Sequence, residues 1–249
     1  MSVSTTVDKA APAPLLGRVF AAADIFVLAF ALLLFGVGLW IFAAGTPAHW
    51  INLVYDDAYY YGGVARGIIE RGESSFAAPL ETNGYQPLWL ALITAVAFVF
   101  GHSPAAIAFE IYVLAWLFMF GFAWLSRRTF GVAFPALLAS LTFPLVMLYG
   151  LETCMLPVFF MLFMKADSWR SRGVLGALLF LTRLDAASVV LARDIWLFAT
   201  RRKVDLKHWL IIAPVGLGYA AINQMLFGTP LPVSGLAKAV GSIPGENLV

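Results

Sequence analysis

The chain has 249 residues, 61% apolar and only 12% charged, with a formal net charge of +2 and a mean hydropathy of +0.87. Average soluble domains carry about twice that charge, so this composition excludes a water-soluble globular protein and points to a polytopic membrane protein with the lipid bilayer as its surround. The near-neutral balance gives no reason to expect nucleic acid as a partner, and the one cysteine, Cys154, excludes an intrachain disulfide and a multi-cysteine metal site.

Residues 1–22 are small, polar and proline-containing, and carry Lys9 and Arg18 ahead of the first long apolar run. That run, 25–43, is about long enough to cross a bilayer and lacks a clear cleavage site, so it reads as an uncleaved first span. The basic tail puts the N-terminus in the cytoplasm and makes 45–104 the first exoplasmic loop. Later apolar runs cover 87–101, 105–126, 131–149, 153–164, 173–200 and 208–227. Basic clusters fall at Arg127-Arg128, at Lys165, Arg170 and Arg172, and at Arg201 to Lys203 with Lys207.

Simple alternation of these runs leaves two basic clusters outside, against the positive-inside rule. Run 87–101 is short for a crossing, and treating it as interfacial or re-entrant returns Arg127-Arg128 and the Lys165–Arg172 cluster to the cytoplasm. Run 173–200 has basic clusters at both ends and Arg183-Leu184-Asp185 near its middle. A hairpin of two short helices satisfies both ends and puts Arg183 and Asp185 at an exoplasmic apex, a break tolerated where protein or a water-filled cavity receives the exposed backbone. The expected fold is all-α, with seven crossings and an outside C-terminus. Residues 23–249 form one module without internal repeat, expected to be truncated at its C-terminal side. Asp56, Asp57, Glu152, Arg183, Asp185 and Lys238 then share the exoplasmic face.

Asp56-Asp57 precedes a tyrosine-rich amphipathic segment. One Asp caps the helix that begins near Ala58, while the other serves as a general base or a ligand for a divalent cation such as Mg or Mn. Tyr60, Val64 and Ile68 make one helical face and Arg66 with Glu70 another, the pattern of an interfacial helix. Glu152 sits where an outward span meets an inward one and reads either as a solvated loop residue or as a second acidic site. Arg183 and Asp185, ionisable within an apolar run, default to a paired or functional role. Glu110 and Arg193-Asp194 raise the same question.

The series DDAYYY, ARGIIERGESSF, TNGYQPLW, YGLETCML, FLTRLDAA and FGTPLPVSGLAK, from about residue 25 to 238, resembles the C-type superfamily of polytopic glycosyltransferases (GT-C), in particular bacterial members with a DDAYYY-like first loop. The resemblance implies a seven-span module with two juxtamembrane helices in its first exoplasmic loop, in a bacterial inner membrane. It implies a polyprenyl-phosphate sugar donor, inverting transfer to a glycan, lipid or protein acceptor, and a catalytic base at Asp56 or Asp57, with Glu152 as the second acidic site. Tyr60, Asn83, Gln86, Arg183, Asp185 and Lys238 are the expected substrate-binding residues, and Asp56, Asp57 and Glu152 the ligands if a divalent ion is used. The competing readings are a transporter subunit built on the broken 173–200 helix and an inactive or scaffolding fragment.

Overall fold

The computed structural model describes residues 14–51, 53–77, 80–142, 150–201 and 205–232. Among these residues the chain is all-helical, and one isolated bridge between Ala77 and Leu80 is the only β-type pairing. The helices are α1 (Pro14–Ala44), α2 (Pro47–Trp50), α3 (Asp56–Arg71), α4 (Pro87–Phe100), α5 (Pro104–Phe130), α6 (Phe134–Thr142), α7 (Leu156–Lys165), α8 (Trp169–Thr182), α9 (Ala187–Arg201) and α10 (Trp209–Phe227).

Local chemistry sets many of the helix ends. α5 starts at Ser103, whose side chain accepts the Ala106 N–H, followed by Pro104 at the first helical position; it ends with Arg127 and Arg128 in the last turn and Gly131 in the left-handed region. α3 carries Asp56 and Asp57 in its first turn and Arg71 in its last, so charge complements the helix dipole at both ends.

Among the described residues three helical segments are long and apolar enough to cross a membrane: Val19–Ala44, Pro104–Phe130 and Trp209–Phe227. They turn large apolar side chains outward, with Phe26 and Trp40 exposed on α1, Leu117 and Trp124 on α5, and Leu210 and Leu217 on α10. A surface of this kind needs lipid around it. The remaining expected crossings are shorter. Run 153–164 yields α7, a helix of 10 residues, whose rise of about 15 Å is half of a ~30 Å hydrocarbon core. Run 131–149 is described through Thr142 as α6. Among the described residues, helix length supports three crossings.

The loop between α1 and α5 holds two substantial helices, α3 and α4, as expected. α4 is no isolated interfacial segment: Trp89, Leu90, Ile93 and Ala97 are buried in the same cluster as Val64 of α3 and Ile107 and Ile111 of α5. The buried face of α3 is Ala58, Tyr61, Gly62, Val64, Ala65 and Gly67. Tyr61, not Tyr60, therefore points into the core, a shift of one residue from the Tyr60/Val64/Ile68 face. The expected outer face holds: Arg66 and Glu70 form a 2.7 Å ion pair one turn apart.

The run 173–200 breaks where its charge pattern requires. α8 ends at Thr182, Arg183 takes an extended backbone, and a 3-10 turn, Leu184–Ala186, leads into α9. The two arms fold back on one another. His208, at the start of α10, lies against Gly173 near the start of α8, and its Nε2 bonds Asp194, midway along α9, at 2.9 Å. Phe163, Leu179, Val190 and Ile212 lock α7, α8, α9 and α10 into one buried cluster.

The helices thereby acquire two chemically distinct ends. At one end Arg127 pairs with buried Asp24 of α1, Lys165 donates to Thr129, and the Asp194–His208 pair closes the hairpin. At the other end lie the start of α3, the turn before α7, the α8–α9 break and the C-terminal end of α10.

Candidate functional site

The turn ahead of α7 is fixed first. Gly150 has φ of 77°, and a Cβ there would collide with the side chains of Ile111 and Val54, so only glycine fits. Its carbonyl accepts the buried Trp89 indole N–H at 3.0 Å. This clamps the 3-10 turn Glu152–Cys154 against α3, α4 and α5, about two turns in from the N-terminus of α5. Glu152 is consequently 6% exposed rather than a solvated loop residue.

Both oxygens of the Glu152 carboxylate are occupied. Oε2 accepts the Tyr61 hydroxyl at 3.0 Å, and Oε1 accepts Arg183 Nη1–H at 3.2 Å. The Tyr61 oxygen in turn accepts the Gln86 backbone N–H at 3.1 Å. Arg183 grips Asp185 with a fork, Nε to Oδ1 at 3.0 Å and Nη2 to Oδ2 at 3.1 Å. Burial, reinforced by the Glu152 charge, pushes the Tyr61 phenol far above the ordinary tyrosine range, so it stays a donor at every relevant pH. Hydrogen bonds from Arg183 hold the Asp185 carboxyl below its ordinary range. The pair therefore persists as pH falls through ~4, where an unpaired aspartate takes up its proton.

Beside this cluster lies a cavity of about 440 Å³. Leu156, Pro157, Phe160, Leu179 and Val189 form its apolar walls, and Arg183, Asp185 and Ser188 supply its polar edge. An apolar cleft with a few convergent polar groups is the usual form of a ligand site.

The two aspartates play different parts. Asp56 Oδ1 accepts the Asp57 backbone N–H at 2.9 Å, a local bond at the helix start. Asp57 is exposed and, among the described residues, its side chain has no hydrogen bond or ion pair. It precedes Tyr61 by four residues, which puts it one turn away on the helix face that meets Glu152. Among the described residues no three His, Cys, Asp or Glu side chains stand close enough to share a metal ion.

The remaining expected site residues divide. Tyr60 is half-buried, bonded to Thr82 Oγ1 at 2.6 Å and stacked on Phe76, which ties α3 to the following loop. Asn83 is buried, and its amide donates to Asn223 Oδ1 at 2.8 Å and to the Leu231 carbonyl at 3.3 Å. It latches the 82–86 turn to the end of α10. Asn83→Ala strands the buried Asn223 carbonyl, at a cost of about 1–3 kcal/mol, and a lowered thermal unfolding temperature in detergent checks it. Gln86 stays with the site, its Oε1 buried and without a hydrogen-bond partner among the described residues. Lys238 lies outside the described residues. Cys154 is buried and packs in the central cluster, which suits a structural role.

The sequence reading passed over Tyr61, Asp24 and His208. Tyr61 lay within a Tyr-Tyr-Tyr run whose helical phase one residue decides. Tyr61→Phe removes the donor to Glu152 and the acceptor for Gln86 while keeping the ring. Its expected effect is a loss of about 1–2 kcal/mol and a fall in ligand affinity, read by calorimetry on the purified protein.

No protein-family model matches this chain, and no curated protein or solved structure gives a significant match to it.

Proposed function

We propose that this chain is an inverting membrane glycosyltransferase that moves a sugar from a polyprenyl-phosphate donor to an acceptor hydroxyl at the exoplasmic face of a bacterial inner membrane. The observation that carries the reading is an apolar cavity with Arg183 on its polar edge, bonded to Glu152, which also holds Tyr61, one turn along α3 from Asp57. A lipid-linked sugar has that composition: an apolar chain, a phosphate, and a reactive carbon next to the phosphate. The sequence resemblance to the C-type superfamily supports the same chemistry, and the short helices α6 to α9 complete the module in that reading.

Asp57 takes the proton from the acceptor hydroxyl as its oxygen attacks the anomeric carbon. The bond from that carbon to the phosphate oxygen breaks, its electrons leave with the polyprenyl phosphate, and Arg183 stabilises the phosphate charge. Gln86 Oε1 is an acceptor for a sugar hydroxyl. Asp185, forked onto Arg183, keeps the guanidinium at the cavity edge. The test is direct: purified protein in lipid nanodiscs is given polyprenyl-phosphate sugars, and lipid-linked sugars and glycans are followed by mass spectrometry. Transfer by wild type and none by Asp57→Asn supports the reading. Substrate uptake into proteoliposomes without transfer overturns it.

A further inference from the structure

Arg183 has five N–H donors. Two go to Asp185 and one to Glu152, so a single guanidinium faces two carboxylates. Asp185 is largely exposed, 70% by side chain, whereas Glu152 is 8% exposed and lies on the inner side. An anion arriving from the cavity therefore meets net negative charge at Arg183, the one cation on the cavity's polar edge among the described residues. Glu152 has a second anchor, Tyr61 on its other oxygen, and keeps that bond if Oε1 lets Arg183 go.

We infer that Glu152 is a resident stand-in for the anionic head of the lipid ligand, occupying Arg183 Nη1 in the unliganded protein and yielding it when a phosphate binds. This rests on the lipid-phosphate reading above and adds its regulation. Asp185 keeps its fork on Arg183 throughout, so the guanidinium stays in position while one donor changes partner. The exchange also sets selectivity. A free phosphate has to displace Glu152 with its charge alone. A phosphate on an apolar chain gains the burial of that chain against Leu156, Phe160 and Val189 as well. The site thus rejects inorganic phosphate and admits the amphiphile.

Calorimetric titration of the nanodisc-embedded protein tests this with three probes: dodecyl phosphate, inorganic phosphate, and dodecanol as the uncharged chain. Wild type is expected to bind dodecyl phosphate and not inorganic phosphate at millimolar concentration. Glu152→Gln removes the competing charge and keeps an acceptor for Tyr61, so dodecyl phosphate binds about tenfold tighter and inorganic phosphate binding becomes measurable. Dodecanol binding stays unchanged. If Glu152→Gln is not monodisperse, Glu152→Asp decides: its carboxylate, drawn back by one methylene, tightens binding by a smaller factor. Equal or weaker dodecyl phosphate binding in the folded variant, with binding still lost in Arg183→Gln, overturns the exchange alone. Dodecyl phosphate binding that survives Arg183→Gln overturns the lipid-phosphate reading itself.

Discussion

Asp57→Asn is expected to lower sugar transfer by about 10²–10⁴-fold, the usual contribution of a positioned general base, with little change in unfolding temperature. Asp56→Asn is expected to leave transfer largely intact and to lower stability slightly. The two residues are adjacent and chemically identical, but their surroundings differ. Asp56 bonds the backbone N–H of its neighbour at the start of α3; an asparagine there keeps an acceptor and loses only the charge at the helix N-terminus, about 0.3–1 kcal/mol. Asp57 has no side-chain partner among the described residues and lies one turn from Tyr61, so its replacement leaves no partner stranded. Parallel measurement of transfer rate and thermal unfolding for both variants separates the roles. Equal loss of transfer in the two, or full activity in Asp57→Asn, contradicts the assignment.

Arg183→Gln is the second large effect, and it acts on stability as well as transfer. Removing the guanidinium leaves the buried Glu152 carboxylate with Tyr61 as its one partner. Breaking a fully buried ion pair costs about 3–5 kcal/mol. Arg183 is 34% exposed, so solvent screening reduces the expected cost to about 1–3 kcal/mol. Transfer falls further, by about 10²–10³-fold, because the cation facing the leaving phosphate is gone. Arg183→Lys restores charge without the fork. One ammonium cannot hold both oxygens of Asp185 and also reach Glu152, so this variant recovers part of the transfer and little of the stability. The double variant Arg183→Gln with Glu152→Gln, lacking the stranded charge, recovers stability without transfer. Thermal unfolding in detergent and the nanodisc transfer assay give both readings.

The same cluster shows where sequence reasoning stops. That 173–200 breaks near its middle follows from the basic residues at both ends. That it breaks at Arg183 follows from the ionisable Arg183-Leu184-Asp185 triplet within an apolar run, although Thr182-Arg183-Leu184 contains no proline or glycine. The sequence does not carry the partner that Arg183 meets there, Glu152, 31 residues earlier in the chain. The phase of α3 is similar. A run of three tyrosines offers three faces, and Tyr61 is the one whose hydroxyl meets both the Glu152 carboxylate and the Gln86 N–H.

Composition and run length by themselves determined that this is a helical membrane protein, since so few charges cannot solvate a surface of this size. The spacing of basic clusters determined that Asp56, Asp57, Glu152, Arg183 and Asp185 would gather at the end away from those clusters, because a charge at the end of an apolar helix stays at that end however the helix packs. Tertiary structure alone decided which polar groups meet. Tyr61, Glu152 and Arg183 come from three elements, and Gly150, Trp89 and the α8–α9 break bring them within hydrogen-bond distance. Such contacts depend on backbone direction to within a few ångströms, a quantity that periodicity does not carry. They separate Asp57 from Asp56, make Asn83 a latch, and turn Glu152 from a loop carboxylate into the buried partner of Arg183.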